Sequence, residues 1–468
     1  MGKHQLYPKY KDSGIDWIGE VPEFWLLKRL KFSAYLVNQK IDAESSTLPY
    51  MGLEHIQSWT GERIKDSNAS SEGIGSHFLP NDVLFGKLRP YLAKVHLAKH
   101  EGLASTEALV LRSRDSIFPP FLRYYSVSRD FIHIVDSSTF GTKMPRASWD
   151  FIGNLAILVP SLPEQQTIAT FLDHKTAQID ALIAKKEALL EKLAEKRTAL
   201  ISQAVTKGLD PTVPMKDSGI KWLGEIPAHW GIAKLGYFAS IGNGSTPKRD
   251  KAEYWSRKDF PWLNSSKINE EIIVEAEQHI SKQALEECHL PVVPAGSVLI
   301  AITGEGQTRG RSALLSFEAT ISQHLASIQP ISEVMGAIYL RRYLQAAYQW
   351  LRNESNGAGS TRAALTCDFL KKINILLPPL NEQVCIINFL DSKLEIDHSL
   401  ASATQISLKK LKEYRTALIT NAVTGKIDVR NVKLPQPTPT ELLATLPDIE
   451  EEFPDVDAGL LPLDEISI

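Results

Sequence analysis

The side chains best suited to chemistry are hydrogen-bonding groups gathered on turns. In the first half they are Lys87, Arg89, Tyr91 and Lys94, on and just after the turn GKLRP; Ser105 and Thr106; and Thr142, Lys143 and Arg146 in the loop FGTKMPR. In the second half they are Thr246, Lys248 and Arg249; Thr308, Arg309 and Arg311 in GEGQTRGR; Gln323 and His324; and Ser360, Thr361 and Arg362 in GAGSTR, with Arg309 and Arg362 foremost. These residue types hydrogen-bond base edges and neutralise phosphates. The same types also populate ordinary solvated loops.

Motifs for covalent or cofactor chemistry are missing. The Gly-x-Gly spacing in GEGQTRG at 304–310 has no third, helix-opening glycine and no βαβ frame, so it is a poor dinucleotide loop. GKL at 86–88 lacks the Ser or Thr of a phosphate loop. There is no Asn-Pro-Pro-aromatic or Asp-Pro-Pro-aromatic tetrad of an amino-methyltransferase. His77, His96 and His100 show no metal-ligand spacing, and Cys288, Cys367 and Cys385 form neither a disulfide framework nor a zinc set. The expected compartment is a reducing cytoplasm, because the cysteines are few and unpaired and no signal peptide or membrane-length apolar run is present.

Net charge argues weakly at first sight. The chain carries −3, but from residue 431 onward nine acidic residues face one basic residue, Lys433. That terminus contributes −8, which leaves +5 on residues 1–430. The body is mildly basic and tolerates a polyanionic partner, while the acidity sits in a Pro-rich segment expected to be extended.

Two long stretches must position these turns. Residues 164–207 run without Gly or Pro, after Pro160 and Pro163 and before Gly208 and Pro211, which are helix start and stop signals. Leu172, Ile179, Leu193 and Leu200 lie on one heptad series broken at Lys186, with Leu182 and Leu189 as a second apolar row. Such a helix would run roughly 60 Å. The stretch returns 218 residues later. LVPSLPEQQTIATFLD at 158–173 matches LLPPLNEQVCIINFLD at 376–391 in 9 of 16 positions, and RTALISQAVT matches RTALITNAVT in 8 of 10. The equal length suggests a ruler.

A second repeat lies upstream of each variable block. DSGIDWIGEVPEFW at 12–25 returns as DSGIKWLGEIPAHW at 217–230, at an offset of 205. The second block is therefore 13 residues longer than the first. Trp17, Trp25, Trp222 and Trp230 are expected to hold a domain onto a helix end. Each block reads as short strands and a helix: strands at 49–56, 82–90, 93–98, 108–113 and 153–160 with a helix over 119–135, then strands at 298–303, 326–331 and 371–378 with a helix over 336–353.

Two variable domains, each followed by a conserved long helix, resemble the specificity subunit of type I restriction–modification enzymes. The resemblance covers residues 12 to about 430. GNGSTPKRDKAEYW is similar to the family's Gly-x-Thr-Pro opening, here with Ser245 before Thr246. AGSVLIAITGEGQTRGRSALLSFEATISQHLASI and NDVLFGKLRPYLAKVHLA look like two forms of its central motif, and LPEQQTIATFLD and LNEQVCIINFLD like its helix-entry motif.

The resemblance implies a mixed α/β (α+β) fold. It would hold two target-recognition domains separated by two long conserved helices, packed as an antiparallel coiled coil in a pseudo-two-fold, circular arrangement. The segments would be 1–162 and 213–380 for the recognition domains, 163–212 and 381–430 for the helices, and 431–468 for the acidic tail. It implies a non-catalytic subunit that reads a bipartite site in double-stranded DNA, the helices setting the gap. Its partners would be methyltransferase subunits, two of them, and motor-nuclease subunits, which would hold S-adenosylmethionine, ATP and Mg. The competing reading is a coiled-coil assembly or scaffold protein whose variable domains bind protein.

Overall fold

The computed structural model describes residues 5–64, 73–304, 306–356 and 364–434. The chain divides into two compact units, Met1–Ala184 with Leu408–Ile468, and Lys185–Ser407. The division cuts across both long helices, Leu162–Lys207 and Leu380–Val423. Each unit thus holds one variable block, part of the helix that follows it, and a stretch of the other helix.

In the first unit, one sheet orders Lys40–Asp42, Ile74–Phe78, Gly102–Ala104 and Tyr50–Met51, and another orders Ala34–Leu36, Ala108–Ser113, Val83–Gly86 and Val95–Leu97. In the second unit, a five-stranded sheet orders Ala239–Asn243, Leu325–Pro330, Val298–Ala301, Ser312–Leu315 and Ile272–Ile273, beside a three-stranded sheet of Gln278–Ile280, Phe260–Leu263 and Thr320–Ile321. Val83–Gly86 and Val298–Ala301 are buried along their whole length, which explains their unbroken apolar sequences.

The first and last strands of each block pair with each other. Leu26–Arg29 runs antiparallel to Ala156–Val159 with Leu26 opposite Val159; Gly231–Lys234 runs antiparallel to Asn374–Leu377 with Gly231 opposite Leu377. The block therefore leaves and re-enters the scaffold at one place. The 13 extra residues of the second block lie between its two paired strands, so they are accommodated ahead of the helix that follows.

The repeated sequence motifs are the joints. Trp25 and Trp230 are each 1 % exposed. Their indole N–H groups donate to Glu164 Oε1 at 3.1 Å and Glu382 Oε2 at 2.8 Å, at the start of each long helix. Burying such a ring removes about 200 Å² from water, up to about 5 kcal/mol. Gln165 and Gln383 lie one residue further on. Gln165 accepts from Phe118 N (2.7 Å) and donates to Ser116 O (3.0 Å) and Pro160 O (2.8 Å). Gln383 accepts from Gly336 N and donates to Val334 O and Pro378 O, each at 2.9 Å. Every partner is displaced by 218 residues, so the Glu-Gln dipeptide is a duplicated bracket.

Within each unit the two long-helix segments run antiparallel. In the first, Arg415 pairs with Asp180 (2.7 and 3.0 Å), while Gly425, beyond the end of the second long helix, meets Pro22 and Trp25 beside Glu164. In the second, Lys196 pairs with Asp397 (3.2 Å), while Gly208 meets Trp230 beside Glu382. Both glycines sit at positive φ, +75° and +72°, and stop the helices. A Cβ on Gly425 would lie 2.4 Å from Pro22, so only glycine lets the N-terminal segment close on the helix end. Gln5 bridges Asp428 there, as the repeat leads one to expect.

Some local expectations change. Leu172, Ile179 and Leu193 are buried, but Leu182 is 47 % exposed and Ile183 packs inward instead. A straight helix drifts about 20° per heptad, so a residue three positions after Ile179 loses the seam to the one four positions after it. The 119–135 helix is two helices, Pro119–Val127 and Arg129–Ser137. Ser128 turns extended between them, and Thr420 Oγ1 accepts from Arg129 N at 3.0 Å. The 336–353 helix likewise divides into Ala337–Ala346 and Tyr348–Asn356. Residues 435–468 of the acidic tail lie outside the described residues.

Candidate nucleic-acid interface

In the first unit the predicted residues are drawn together by backbone hydrogen bonds. The strand Val83–Gly86 delivers Lys87, whose N–H donates to Glu107 O at 2.9 Å and whose carbonyl accepts from Ala147 N at 3.0 Å. Arg89 N donates to Pro145 O at 2.8 Å, and Leu88 bridges Arg146. The segment 87–89 is thus a rung between the turn 105–107 and the loop 140–147. Arg89 and Ala93 adopt left-handed backbone, φ 51° and 48°, around the short helix Pro90–Leu92. Non-glycine residues rarely hold that conformation, and such strain gathers at functional turns.

Arg89, Tyr91, Thr106, Thr142 and Lys143 are exposed on this surface. The other predicted residues are half-buried and engaged. Arg146 grips Glu107 through Nε (3.0 Å) and Nη2 (3.1 Å); those hydrogen bonds, then the carboxylate's charge, raise the guanidinium pKa. Ser105 Oγ accepts from Glu107 N, forming the turn. Lys94 Nζ donates to Leu53 O at 2.6 Å, away from the others.

In the second unit the polar residues form a row. Gly244 lets the chain pass against Ile321, where a Cβ would lie 1.8 Å from its carbonyl oxygen. Ser245 N then donates to Ile321 O at 2.9 Å, setting Thr246 beside Gln323, to whose side-chain oxygen the Thr246 hydroxyl donates. Gln323 Nε2 lies 3.4 Å from His324 Nε2, and His324 Nδ1 lies 2.7 Å from Thr303 Oγ1. With Gln323 donating, His324 carries its proton on Nδ1 and donates to Thr303. Arg249 lies over Trp255 at 3.8 Å and Trp262 at 4.7 Å, the two rings packed edge to face. Lys248, exposed, accepts the Trp255 indole N–H at its carbonyl.

The loop after Ala301 is braced by the helix Tyr348–Asn356. Arg352 Nη1 donates to Gly306 O (2.6 Å) and Tyr348 OH to Gln307 O (2.7 Å). Thr308 and Arg311 are half-buried, and Arg311 bonds Asn269 and Gln307. Arg309 is only 3 % exposed, so in this conformation it lies under the loop and does not reach outward. Burial of a polar side chain inside a glycine-rich turn leaves no trace in residue type. Ser360, Thr361 and Arg362 lie outside the described residues. Residues not predicted also belong here: Trp255 and Trp262 under Arg249, Thr303 beside His324, and Glu107 on Arg146. The two tryptophans were findable, standing close after a basic run.

Comparisons agree with this duplicated design. The family model described as "Type I restriction modification DNA specificity domain" matches residues 74–192 and 227–414. The MjaIX type I restriction enzyme specificity subunit of Methanocaldococcus jannaschii is 27 % identical over 455 residues, covering 92 % of this chain and 99 % of that protein. The MjaVIII specificity subunit of the same organism is 24 % identical, covering 88 % and 95 %. A solved chain reported under complex assembly and conformational transition of the type I R-M system aligns with a TM-score of 0.69 at 20 % identity, covering 86 % of this chain and 98 % of that one; it supports the fold. With two matched segments, one around each reader, this chain belongs to the type I restriction–modification DNA specificity family.

Proposed function

We propose that this chain is the DNA sequence-specificity subunit of a type I restriction–modification complex. Each variable block reads one half of a bipartite site in double-stranded DNA. The long helices set the gap and dock two methyltransferase subunits, and motor-nuclease subunits join to cleave unmodified DNA. The chain itself is a non-catalytic, cytoplasmic reader; S-adenosylmethionine, ATP and Mg belong to its partners. The observation carrying this reading is the duplicated bracket: two different readers are fixed to antiparallel helix segments by the same bonds, at Gln165 and Gln383. Duplicated readers suit split half-sites.

On this reading Arg89, Tyr91, Thr106, Thr142 and Lys143 face DNA from the first unit. Thr246, Lys248, Arg249, Thr308, Arg311, Gln323 and His324 face it from the second. Lys87, Lys94, Ser105, Arg146 and Arg309 shape the loops that carry them. Ser360, Thr361 and Arg362 remain candidates by residue type.

Methylome sequencing of a host expressing the chain with its cognate methyltransferase subunit tests the proposal. The expected result is a new adenine-methylated motif with two defined halves and a fixed gap. A soluble complex that writes no new motif would refute the reader and favour a scaffold.

A further inference from the structure

The 218-residue offset aligns Arg197 with Arg415 and Arg341 with Arg123. In the second unit these positions close on an acid. Glu271, on a turn of the reader, lies against Arg197 of the first long helix, Arg341 (3.4 Å) and Arg342 (3.3 Å), and Arg342 also meets Asp391 (3.3 Å). The reader thereby braces itself on the helices with its own carboxylate.

Among the described residues of the first unit, the arginines stand without a carboxylate at the position of Glu271. Arg415 turns to Asp180 and to Trp59 O (3.1 Å), and Arg123 donates to Thr60 O while lying 4.5 Å over the Tyr124 ring. Between reader and helix remains a cleft of about 630 Å³. Among the described residues its reader wall carries Arg63, Lys99 and Arg123 against one acid, Glu62. The helix wall's two acids are already engaged: Asp180 by Arg415, and Asp173 by the Tyr124 hydroxyl at 2.6 Å. The reader wall is thus a cationic seat at the place where the second unit inserts a glutamate.

We propose that the acidic C-terminal tail, through its cluster from Asp448 to Asp457, occupies this cleft as the first reader's missing brace. Reach and charge both favour it. The described residues run to 434 in the same unit, with Arg430 4.0 Å from Glu164 at the start of the first long helix. The cleft lies 9 to 16 residues further along that helix, at Asp173–Asp180, or about 14–24 Å at 1.5 Å per residue. From residue 434, Asp448 is 14 residues away, a span of up to about 46 Å. Between Asp448 and Asp457 stand six acids and no base. The inference does not depend on DNA reading.

Zero-length carbodiimide crosslinking of the full chain, read by mass spectrometry, tests it together with hydrogen exchange. Lys99 should join a carboxylate of residues 448–457 in preference to other exposed lysines such as Lys40 and Lys143. Neutralising the cluster (E450Q, E451Q, E452Q, D455N, D457N) should abolish that crosslink and speed exchange of the 60–63 and 96–100 amides about tenfold or more. R63A with K99A should speed it likewise while exchange in 235–330 stays unchanged. Crosslinks spread over lysines according to exposure, or cleft protection that survives neutralisation or requires added inorganic phosphate or duplex DNA, would overturn the assignment.

Discussion

Replacing Gln165 by Ala should cost the first unit about 3–4 kcal/mol. The side chain is 0 % exposed and satisfies three backbone groups: Phe118 N–H at 2.7 Å, Ser116 C=O at 3.0 Å and Pro160 C=O at 2.8 Å. Leaving a buried group unpaired costs about 1–3 kcal/mol, and the three losses are not additive because a water can enter the space. Glutamate separates hydrogen bonding from packing. A carboxylate keeps the bond from Phe118 N but turns an oxygen toward two carbonyl oxygens, so Q165E should be at least as damaging as Q165A. For a unit of this size, 3 kcal/mol corresponds to roughly 6–12 °C in Tm. Urea unfolding followed by hydrogen exchange at 116–127 and at 334–344 separates the units: Q165A should release the first segment and spare the second, and Q383A the reverse. A loss below about 1 kcal/mol, or a Q165E protein as stable as the parent, would refute the bracket.

Four further outcomes are expected. Burial alone would raise the Glu271 pKa, but Arg341, Arg342 and Arg197 override it and hold the carboxyl below its ordinary 4.5. Its stabilisation is therefore complete above about pH 4.5 and is lost as pH falls through the lowered value; E271Q should flatten that acid limb and cost about 1–2 kcal/mol in denaturant titration, reduced because the side chain is 43 % exposed. His96 is lowered from 6.5 chiefly by burial, helped by Arg123, His100 and Lys99 and opposed by its bond to Gly61 O, so the first unit should hold full stability above pH 6.5 and lose it as pH drops toward the lowered value; Tm between pH 5 and 8 should slope less in H96Q. Arg249→Ala should weaken binding of the methylated motif's duplex by about 1–3 kcal/mol in a fluorescence titration, while the lost contacts with Trp255 and Trp262 lower Tm by no more than about 4 °C. Deleting one heptad from each long helix, 186–192 and 404–410, removes about 10.5 Å and only about 20° of rotation, so the methylated gap should shorten by about three base pairs with both half-sites intact; an unchanged gap would end the ruler idea.

The duplicated plan was legible because its signals are local. Glycine and proline punctuate the long helices at Gly208 and Gly425, and the Trp25 and Trp230 motifs repeat at one offset because each must meet the same glutamate. Strand positions in the blocks were legible where a strand is buried on both faces, as at Val298–Ala301. The short parallel pairings, such as Trp262 with Thr320, were not, since two or three residues carry no periodicity and their partners lie far off in sequence.

The candidate interface divides in the same way. Residue type alone identified the donors on turns, and the turn chemistry of GKLRP and GNGSTP marked where the chain would bend. Which donors face outward depended on partners that sequence spacing does not reveal. Arg146 is held by Glu107, 39 residues away, and Arg309 is buried beneath a loop braced from the following helix by Tyr348 and Arg352. A side chain's direction is settled by what packs against it. The sequence by itself therefore determined the repeat, the stop of the first long helix at Gly208 and the family, which depend on periodicity and backbone restriction. Only the tertiary structure decided which arginines stand ready for a ligand and which are consumed in holding the readers to their helices, because charge pairing follows distance in space.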